Sequence, residues 1–279
     1  MSTVRGLVAL SPDEKRMVSD RGAGPGRLDL WTTELEHGTE SRLTFNGYNV
    51  APVWSPDGDY VAFASGRGGS VDLYRQAANQ AGPEELLLRR GVPTDWSRTG
   101  FIIFSRQSSS GNDSDLFALP INGDKQPVPL LHSESNEIQG KVSYDGRWLA
   151  YTSDESGRYE VYVQPFAPTL SKPSTGKWQI SIGGGRDPHW NGDGREMFYL
   201  APNGKMMAVA VKTDGDALVH STPQPLFEAR LRFPVDVTTI SHYAVSADGQ
   251  RFLMAPNPET SSEATPLHVT VNWLAGLKR

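Results

Sequence analysis

The sequence predicts an all-β fold, a six-bladed β-propeller of four-stranded antiparallel blades. Three observations predict it. A tight turn returns six times, at intervals of 44, 42, 46, 48 and 55 residues, and propeller blades repeat every 40–50 residues or so. Around each turn the chain alternates short apolar runs with polar loops, enough for about four strands per unit. Finally, 28 glycines and 20 prolines accompany only 21% charged residues, which suits short strands and turns better than long helices.

The turn comes first. It reads Leu10-Ser11-Pro12-Asp13-Glu14, Trp54-Ser55-Pro56-Asp57-Gly58, Trp96-Ser97-Arg98-Thr99-Gly100, Val142-Ser143-Tyr144-Asp145-Gly146, Trp190-Asn191-Gly192-Asp193-Gly194 and Val245-Ser246-Ala247-Asp248-Gly249. Ser or Asn can bond backbone amides, and Pro presets φ for the next residue. Asp caps the turn, and Gly accepts the positive φ that closes a hairpin. The turn is therefore the inner hairpin of every blade.

The second strand follows each turn as a β-rich apolar run, as in Tyr60-Val61-Ala62-Phe63, Phe101-Ile102-Ile103-Phe104, Trp148-Leu149-Ala150-Tyr151, Met197-Phe198-Tyr199-Leu200 and Arg251-Phe252-Leu253-Met254. Unbroken apolar runs of that length suit strands buried on both faces. A third run places an acidic residue before apolar ones: Leu28-Asp29-Leu30-Trp31, Val71-Asp72-Leu73-Tyr74, Ser114-Asp115-Leu116-Phe117 and Tyr159-Glu160-Val161-Tyr162, with weaker copies at Met206-Met207-Ala208-Val209 and His268-Val269-Thr270-Val271. The fourth run is more polar and carries Pro129 and Pro225 in two copies, as an outer edge strand tolerates.

These units place the blades at about 7–45, 51–89, 92–132, 138–182, 185–228 and 238–274 of one domain, 1–279. After Trp273 too little chain remains for an outer strand, so residues near Thr3-Val4-Arg5 are expected to pair with the last blade and close the ring. The aromatic residues Trp54, Trp96, Trp190, Tyr74, Tyr162 and Tyr199 look like a sugar-stacking set, but their repeat-locked positions read better as packing between blades.

A formal charge of −5 and the lack of a long basic run argue against nucleic acid, whose phosphates demand a dense cationic surface. The absence of cysteine excludes disulfides, thiolate metal sites and a Cys nucleophile. No run approaches the roughly 20 apolar residues that span a bilayer, so no membrane insertion by this segment is expected. Residues 1–15 do not read as a signal peptide.

The repeated hairpin resembles the TolB-like family of WD-like propellers. Longer blocks extend the likeness: Trp54 to Ser65, Ser153-Asp154-Glu155-Ser156-Gly157-Arg158, Glu160-Val161-Tyr162-Val163-Gln164-Pro165-Phe166 and the ending Asn272-Trp273-Leu274-Ala275-Gly276-Leu277-Lys278-Arg279. These resemble the C-terminal propeller of bacterial serine/threonine-kinase-like proteins. The resemblance implies a fragment of a larger bacterial protein, membrane-tethered or extracytoplasmic. Nothing here matches a kinase glycine loop, an HRD segment or DFG, so kinase chemistry is not carried over.

No HExxH, GxSxG or Walker loop occurs. Gly183-Gly184-Gly185 reads as a connector between blades, and Ser108-Ser109-Ser110-Gly111-Asn112-Asp113 as a solvated loop. Ligand sites of propellers are expected at the funnel where the inner strands begin. Polar residues just ahead of the inner hairpins are Asn49, Asp95, Glu137, Gln139, Lys141, Arg186, Asp187, His189, Ser241 and His242, with His132 in the connector before blade four.

Two readings follow. His189, His242, Asp187 and His132 could hold Zn²⁺ or Mn²⁺ with an open position for water, or an all-oxygen set of Asn49, Asp95, Glu137 and Asp187 could suit Ca²⁺. A metal-bound hydroxide, with Asp95 and Glu137 as catalytic candidates, would make a phosphoester or lactone hydrolase. Lys141 and Arg186 oppose a divalent ion and, with Asn49 and Gln139, favour an anionic or polar ligand. The preferred reading is a non-catalytic binding module, a sensor or scaffold for a protein, peptide or small molecule. The alternative is the metal-dependent hydrolase.

Overall fold

The computed structural model describes residues 4–108, 113–168, 176–229, 231, 240–255 and 268–271. The chain ending from Asn272 and most of the serine run, residues 109–112, lie outside them. Among the described residues there is no helix, and the strands fall into six antiparallel sheets. Sheet one holds β1 (Val4–Leu10), β2 (Arg16–Gly24), β3 (Arg27–Glu34) and β4 (Glu40–Arg42). Sheet two holds β5 (Asn49–Trp54), β6 (Tyr60–Ser65), β7 (Asp72–Ala77) and β8 (Glu85–Leu88). Sheet three holds β9 (Val92–Trp96), β10 (Phe101–Gln107), β11 (Ser114–Pro120) and β12 (Val128–Leu131). Sheet four holds β13 (Glu137–Val142), β14 (Trp148–Ser153), β15 (Glu160–Pro165) and β16 (Trp178–Gln179).

Sheet five begins with β17 (Arg186–Trp190), β18 (Glu196–Leu200) and β19 (Lys205–Asp214). β19 outruns the sheet: its last residues pair with β20 (Ala217–His220), while its first residues pair with β21 (Gln224–Glu228). The short hairpin with β20 is not foreshadowed by the repeat. Sheet six holds β22 (Tyr243–Val245), β23 (Arg251–Met254) and β24 (His268–Val271).

The repeated turn behaves as its chemistry requires. Ser55 Oγ donates to Asp57 Oδ1 and accepts the Tyr60 amide at 2.8 Å, and Asp57 Oδ1 accepts the Asp59 amide at 3.0 Å. The same set recurs at Ser11, Ser143 and Ser246. Ser97 uses Thr99 in place of Asp, and Asn191 Oδ1 replaces the hydroxyl by accepting the Glu196 amide at 3.1 Å.

Second strands are buried on both faces, and alternate residues address opposite neighbours. Val61 and Phe63 of β6 pack with Val18, Leu30 and Leu43 of sheet one, whereas Ala62 packs with Ile102 and Phe104 of sheet three. Ile103 turns the other way, onto Leu149 and Tyr151 of sheet four. Trp148 and Ala150 meet Met197 and Tyr199 of sheet five, and Phe198 meets Tyr243 and Phe252 of sheet six. Leu253 then meets Val8 and Met17 of sheet one. Tryptophans of the turn join neighbouring sheets as well: Trp54 Nε1 donates to the Ala9 carbonyl and Trp190 Nε1 to that of Lys141, at 3.2 and 3.1 Å.

The expected strand exchange between the termini is not found among the described residues. Val4 is partnered by Arg21 within sheet one, where β1 serves as that sheet's own inner strand. Sheets one and six meet instead by packing and through Glu14, whose carboxylate accepts the Ala247 amide at 2.6 Å and pairs with Arg251.

Two turn glycines test this arrangement. Gly194 has φ +71° with open space around a would-be Cβ, whereas at Gly146, φ +75°, a Cβ would collide with Thr99 Cγ2 of the neighbouring turn. Gly194→Ala should cost about 1–2 kcal/mol from φ alone, and Gly146→Ala about 1–3 kcal/mol more from overpacking. Equal urea midpoints for the two variants would contradict the contact between turns three and four.

Candidate functional site

Each inner strand of sheets one to five carries, or faces, a register shift near its middle. Ala51, Gln139 and Asp187 sit at equivalent points, three residues before the end of the strand, with φ of 53°, 57° and 57°. Left-handed backbone at non-glycine residues is uncommon and persists only when its surroundings enforce it. The shift separates two layers of side chains.

The first layer is buried in the wall. Asp187 N donates to Gln139 Oε1 at 2.9 Å and meets Thr152 Oγ1 at 3.2 Å, and Gln139 Nε2 donates to the Ile240 carbonyl at 3.1 Å. The Asp187 carboxylate accepts the His242 amide at 2.6 Å, and both imidazoles approach it at 3.3 Å, His189 through Nε2 and His242 through Nδ1. Tyr243 OH donates to the Asp187 carbonyl at 2.9 Å, and the His189 and Tyr243 rings lie 4.4 Å apart. Sheets four, five and six are thus tied through one residue, Asp187, by its amide to sheet four and its carboxylate to sheet six. Burial opposes ionisation of Asp187, but the hydrogen bonds from His189 and His242 outweigh it and hold the carboxyl well below its usual range.

The second layer lines a cavity of about 330 Å³ to which all six sheets contribute. Two residues ahead of each turn's Ser or Asn stand Ala9, Val53, Asp95, Lys141, His189 and Ala244, and all six line it. Asp95, Lys141 and His189 come from consecutive sheets and form a polar arc. Ala244, Ala9 and Val53 come from the other three and form an apolar one. Lys141 Nζ donates to the Thr94 carbonyl, and Asp95 Oδ2 accepts the Val142 amide at 2.9 Å. Removal from water raises the Asp95 carboxyl against the pull of Lys141. Burial, with the Lys141 ammonium close by, lowers His189 and keeps its imidazole neutral at pH 7.

The cavity opens on the side of the repeated turns, since Pro12, Glu14, Pro56, Arg98, Tyr144, Gly192 and Ala247 line it too. Arg98 stacks on the exposed Tyr144 ring at 3.9 Å, and Gly192 N donates to the Ala247 carbonyl at 2.7 Å. Sequence reasoning placed the site at the opposite end, where the inner strands begin, and the shifted register explains the difference: residues ahead of the shift turn into the wall.

The predicted residues therefore separate. Asp95, Lys141 and His189 face the cavity; Asp187 and His242 join His189 from the wall. Asn49 is consumed by scaffold bonds to Leu28, Thr44 and Asn46, with Arg67 on its oxygen. Gln139 is spent bridging sheets, and Arg186 is buried against the Tyr159 ring at 3.7 Å. His132 bonds Asp115 at 2.9 Å and Glu137 bonds Ser133, so neither joins the His189 group. The glycine run behaves as a connector, Gly184 N donating to Glu160 Oε1 at 2.9 Å. Among the described residues no group of three or more His, Asp or Glu is arranged to hold a metal ion. The polar and apolar arcs were missed, although aligning the repeats on the turn displays them as a single column.

Because the folded pKa of Asp187 lies below the unfolded value, about 3.9, it stabilises the fold above that pH and the contribution disappears as pH falls through the acidic range. Asn tolerates the left-handed backbone but accepts more weakly, so Asp187→Asn should lose about 1–3 kcal/mol at neutral pH. Its stability should also decline less steeply on acidification. Urea midpoints that track the unmodified protein at both neutral and acidic pH would contradict this account.

Comparison with known proteins gives the fold a setting. No protein-family profile matches the chain. An uncharacterized protein of Agrobacterium fabrum is 27% identical over 120 residues, 40% of this chain, and the match spans only 38% of that relative. TolB of Acinetobacter baumannii superposes with a TM-score of 0.60 at 20% identity, covering 78% of this chain and 54% of that one. The Cps50 (Swd1) β-propeller domain of Myceliophteria thermophila gives 0.59 at 14% identity over 96% and 84%. The fold is that of TolB and other WD-like β-propellers; at these identities the likeness is one of fold.

Proposed function

We propose that the protein is a binding module, a closed ring of six blades that receives a carboxylate-bearing segment of a peptide or protein in its turn-rimmed cavity. The ring closes by packing of sheet six on sheet one. The observation that carries the reading is the division of the cavity wall. In the polar arc Lys141 is the cationic group, beside Asp95 and His189, and Arg98 stands at the rim, so this side of the cavity suits a carboxylate. Ala244, Ala9 and Val53 suit the apolar body that bears it. A rigid cavity with few convergent polar groups is what small ligands and chain ends require. As a sensor or scaffold it would serve a larger bacterial protein, as its resemblance to kinase-linked propellers implies.

One observation favours a second reading. Two imidazoles converge on Asp187, and a Zn²⁺ or Mn²⁺ ion recruited there would support ester hydrolysis by a bound hydroxide.

Trp54, Trp96 and Trp190 line the cavity, so binding can be followed by intrinsic fluorescence. Short peptides with a free C-terminal carboxylate should perturb the emission and their C-terminal amides should not. Lys141→Met should weaken binding about 10-fold or more, the loss expected for a charged hydrogen bond of about 1.5–3 kcal/mol. Indifference to every peptide would end the binding reading. Stoichiometric Zn or Mn in the purified protein, with esterase activity lost in His189→Ala and His242→Ala, would establish the hydrolase in its place.

A further inference from the structure

The seam between sheets three and four holds a second polar cluster, built from residues that do not line the cavity. Asp115 lies at the start of β11, Glu137 opens β13 and Tyr151 lies in β14. Their exposures are 3%, 2% and 1%, and each keeps one buried polar atom without a hydrogen-bond partner: Asp115 Oδ1, Glu137 Oε2 and the Tyr151 hydroxyl. Buried polar atoms are nearly always satisfied, and an exception calls for an unseen water or ion.

The two carboxylates are engaged by consecutive residues of one connector. His132 Nδ1 contacts Asp115 Oδ2 at 2.9 Å, and Ser133 Oγ donates to Glu137 Oε1. Each carboxylate is thus held by one oxygen, with the other left over. The groups also feel one another. Burial, and after it the charges of Asp115 and Glu155, push Glu137 up to about 7, and burial with Glu155 and Glu137 raises Tyr151.

Equivalent carboxylates in the other sheets are neutralised by arginine. Asp29 pairs with Arg42 at 2.6 Å, Asp72 with Arg89 at 3.7 Å and Glu160 with Arg158 at 2.7 Å. Sheet three offers only the exposed His132 ring in that role, and sheet four brings a second carboxylate, Glu137, to the same seam. Two like charges in a buried seam are costly unless a cation joins them. A water molecule would satisfy the oxygens but leave the charge, and a shared proton would satisfy one oxygen of the three.

We propose that Asp115 and Glu137, with Ser133 and Tyr151 as neutral oxygen neighbours, hold a Ca²⁺ ion that locks sheet three to sheet four. Ca²⁺ accepts six to eight oxygen ligands in flexible geometry and leaves room for water beside two carboxylates. The exposed edge at His132 is the entry path. The ion is structural and does not depend on the cavity's ligand.

Calorimetric titration of the full chain with Ca²⁺ alone, and melting in Ca²⁺ against a chelator, test this. One saturable site and a higher Tm in Ca²⁺ are expected. Glu137→Gln and Asp115→Asn should each weaken binding at least about 10-fold, the loss typical of altered metal surroundings. Glu85→Gln, an exposed carboxylate paired with Arg75 and Lys125, should leave binding unchanged. No binding at millimolar Ca²⁺ would overturn the proposal, as would equal affinity in both isosteric variants. A Glu137→Gln protein that melts higher than an unmodified protein indifferent to Ca²⁺ would identify a shared proton instead, with the same consequence.

Discussion

A four-stranded sheet with an apolar surface on both sides cannot end in water. Here the second strand of every sheet makes that demand twice, as β6 does with Val61 and Phe63 on one side and Ala62 on the other. Burying about 25 cal/mol per Å² of such surface on both faces is the main reward available to sheets this thin. Stacking satisfies all but the first and the last, and the contact of Leu253 with Val8 and Met17 disposes of those. Everything else in the molecule follows from that requirement.

One consequence is the character of the inner strands. Each lies at the edge of its sheet, so it tolerates Pro52, Pro93 and Pro188, register shifts and left-handed residues that a central strand would not. The shift divides the strand into a half that braces the walls and a half that faces the cavity. A single turn motif then serves two ends. It closes the hairpin through Ser and Asp, and its exposed positions, such as Arg98 and Tyr144, form the cavity's mouth. Variation there is inexpensive to the scaffold, which leaves those positions able to suit a partner.

Much of the architecture was legible in the chain. The turn names its own mechanism, and the bonds of Ser55, Asp57 and their counterparts are those its residues predict. Apolar runs after each turn announce strands covered on both faces. The site was legible only in part, because its geometry depends on a shift of register that no residue type announces. Asn49 and Gln139 are polar and near the axis, yet they serve backbone carbonyls and amides. Asp95, Lys141 and His189 stand out as polar residues ahead of the turn, but their common position and apolar counterpart emerge only when six sheets are set side by side. The Asp115–Glu137 pair was hidden because its members stand 22 positions apart on different sheets and come together only through the bonds of residues 132 and 133.

The proposed ring requires the first and last sheets to meet, and proximity across 233 residues tests it most directly. The protein has no cysteine of its own, so Glu14→Cys with Ala247→Cys introduces the only two thiols. A short bis-maleimide should join them within one chain, at high dilution and in the folded protein only. A folded protein that yields no intramolecular cross-link would contradict the proposed closed ring and, with it, the cavity lined by six sheets.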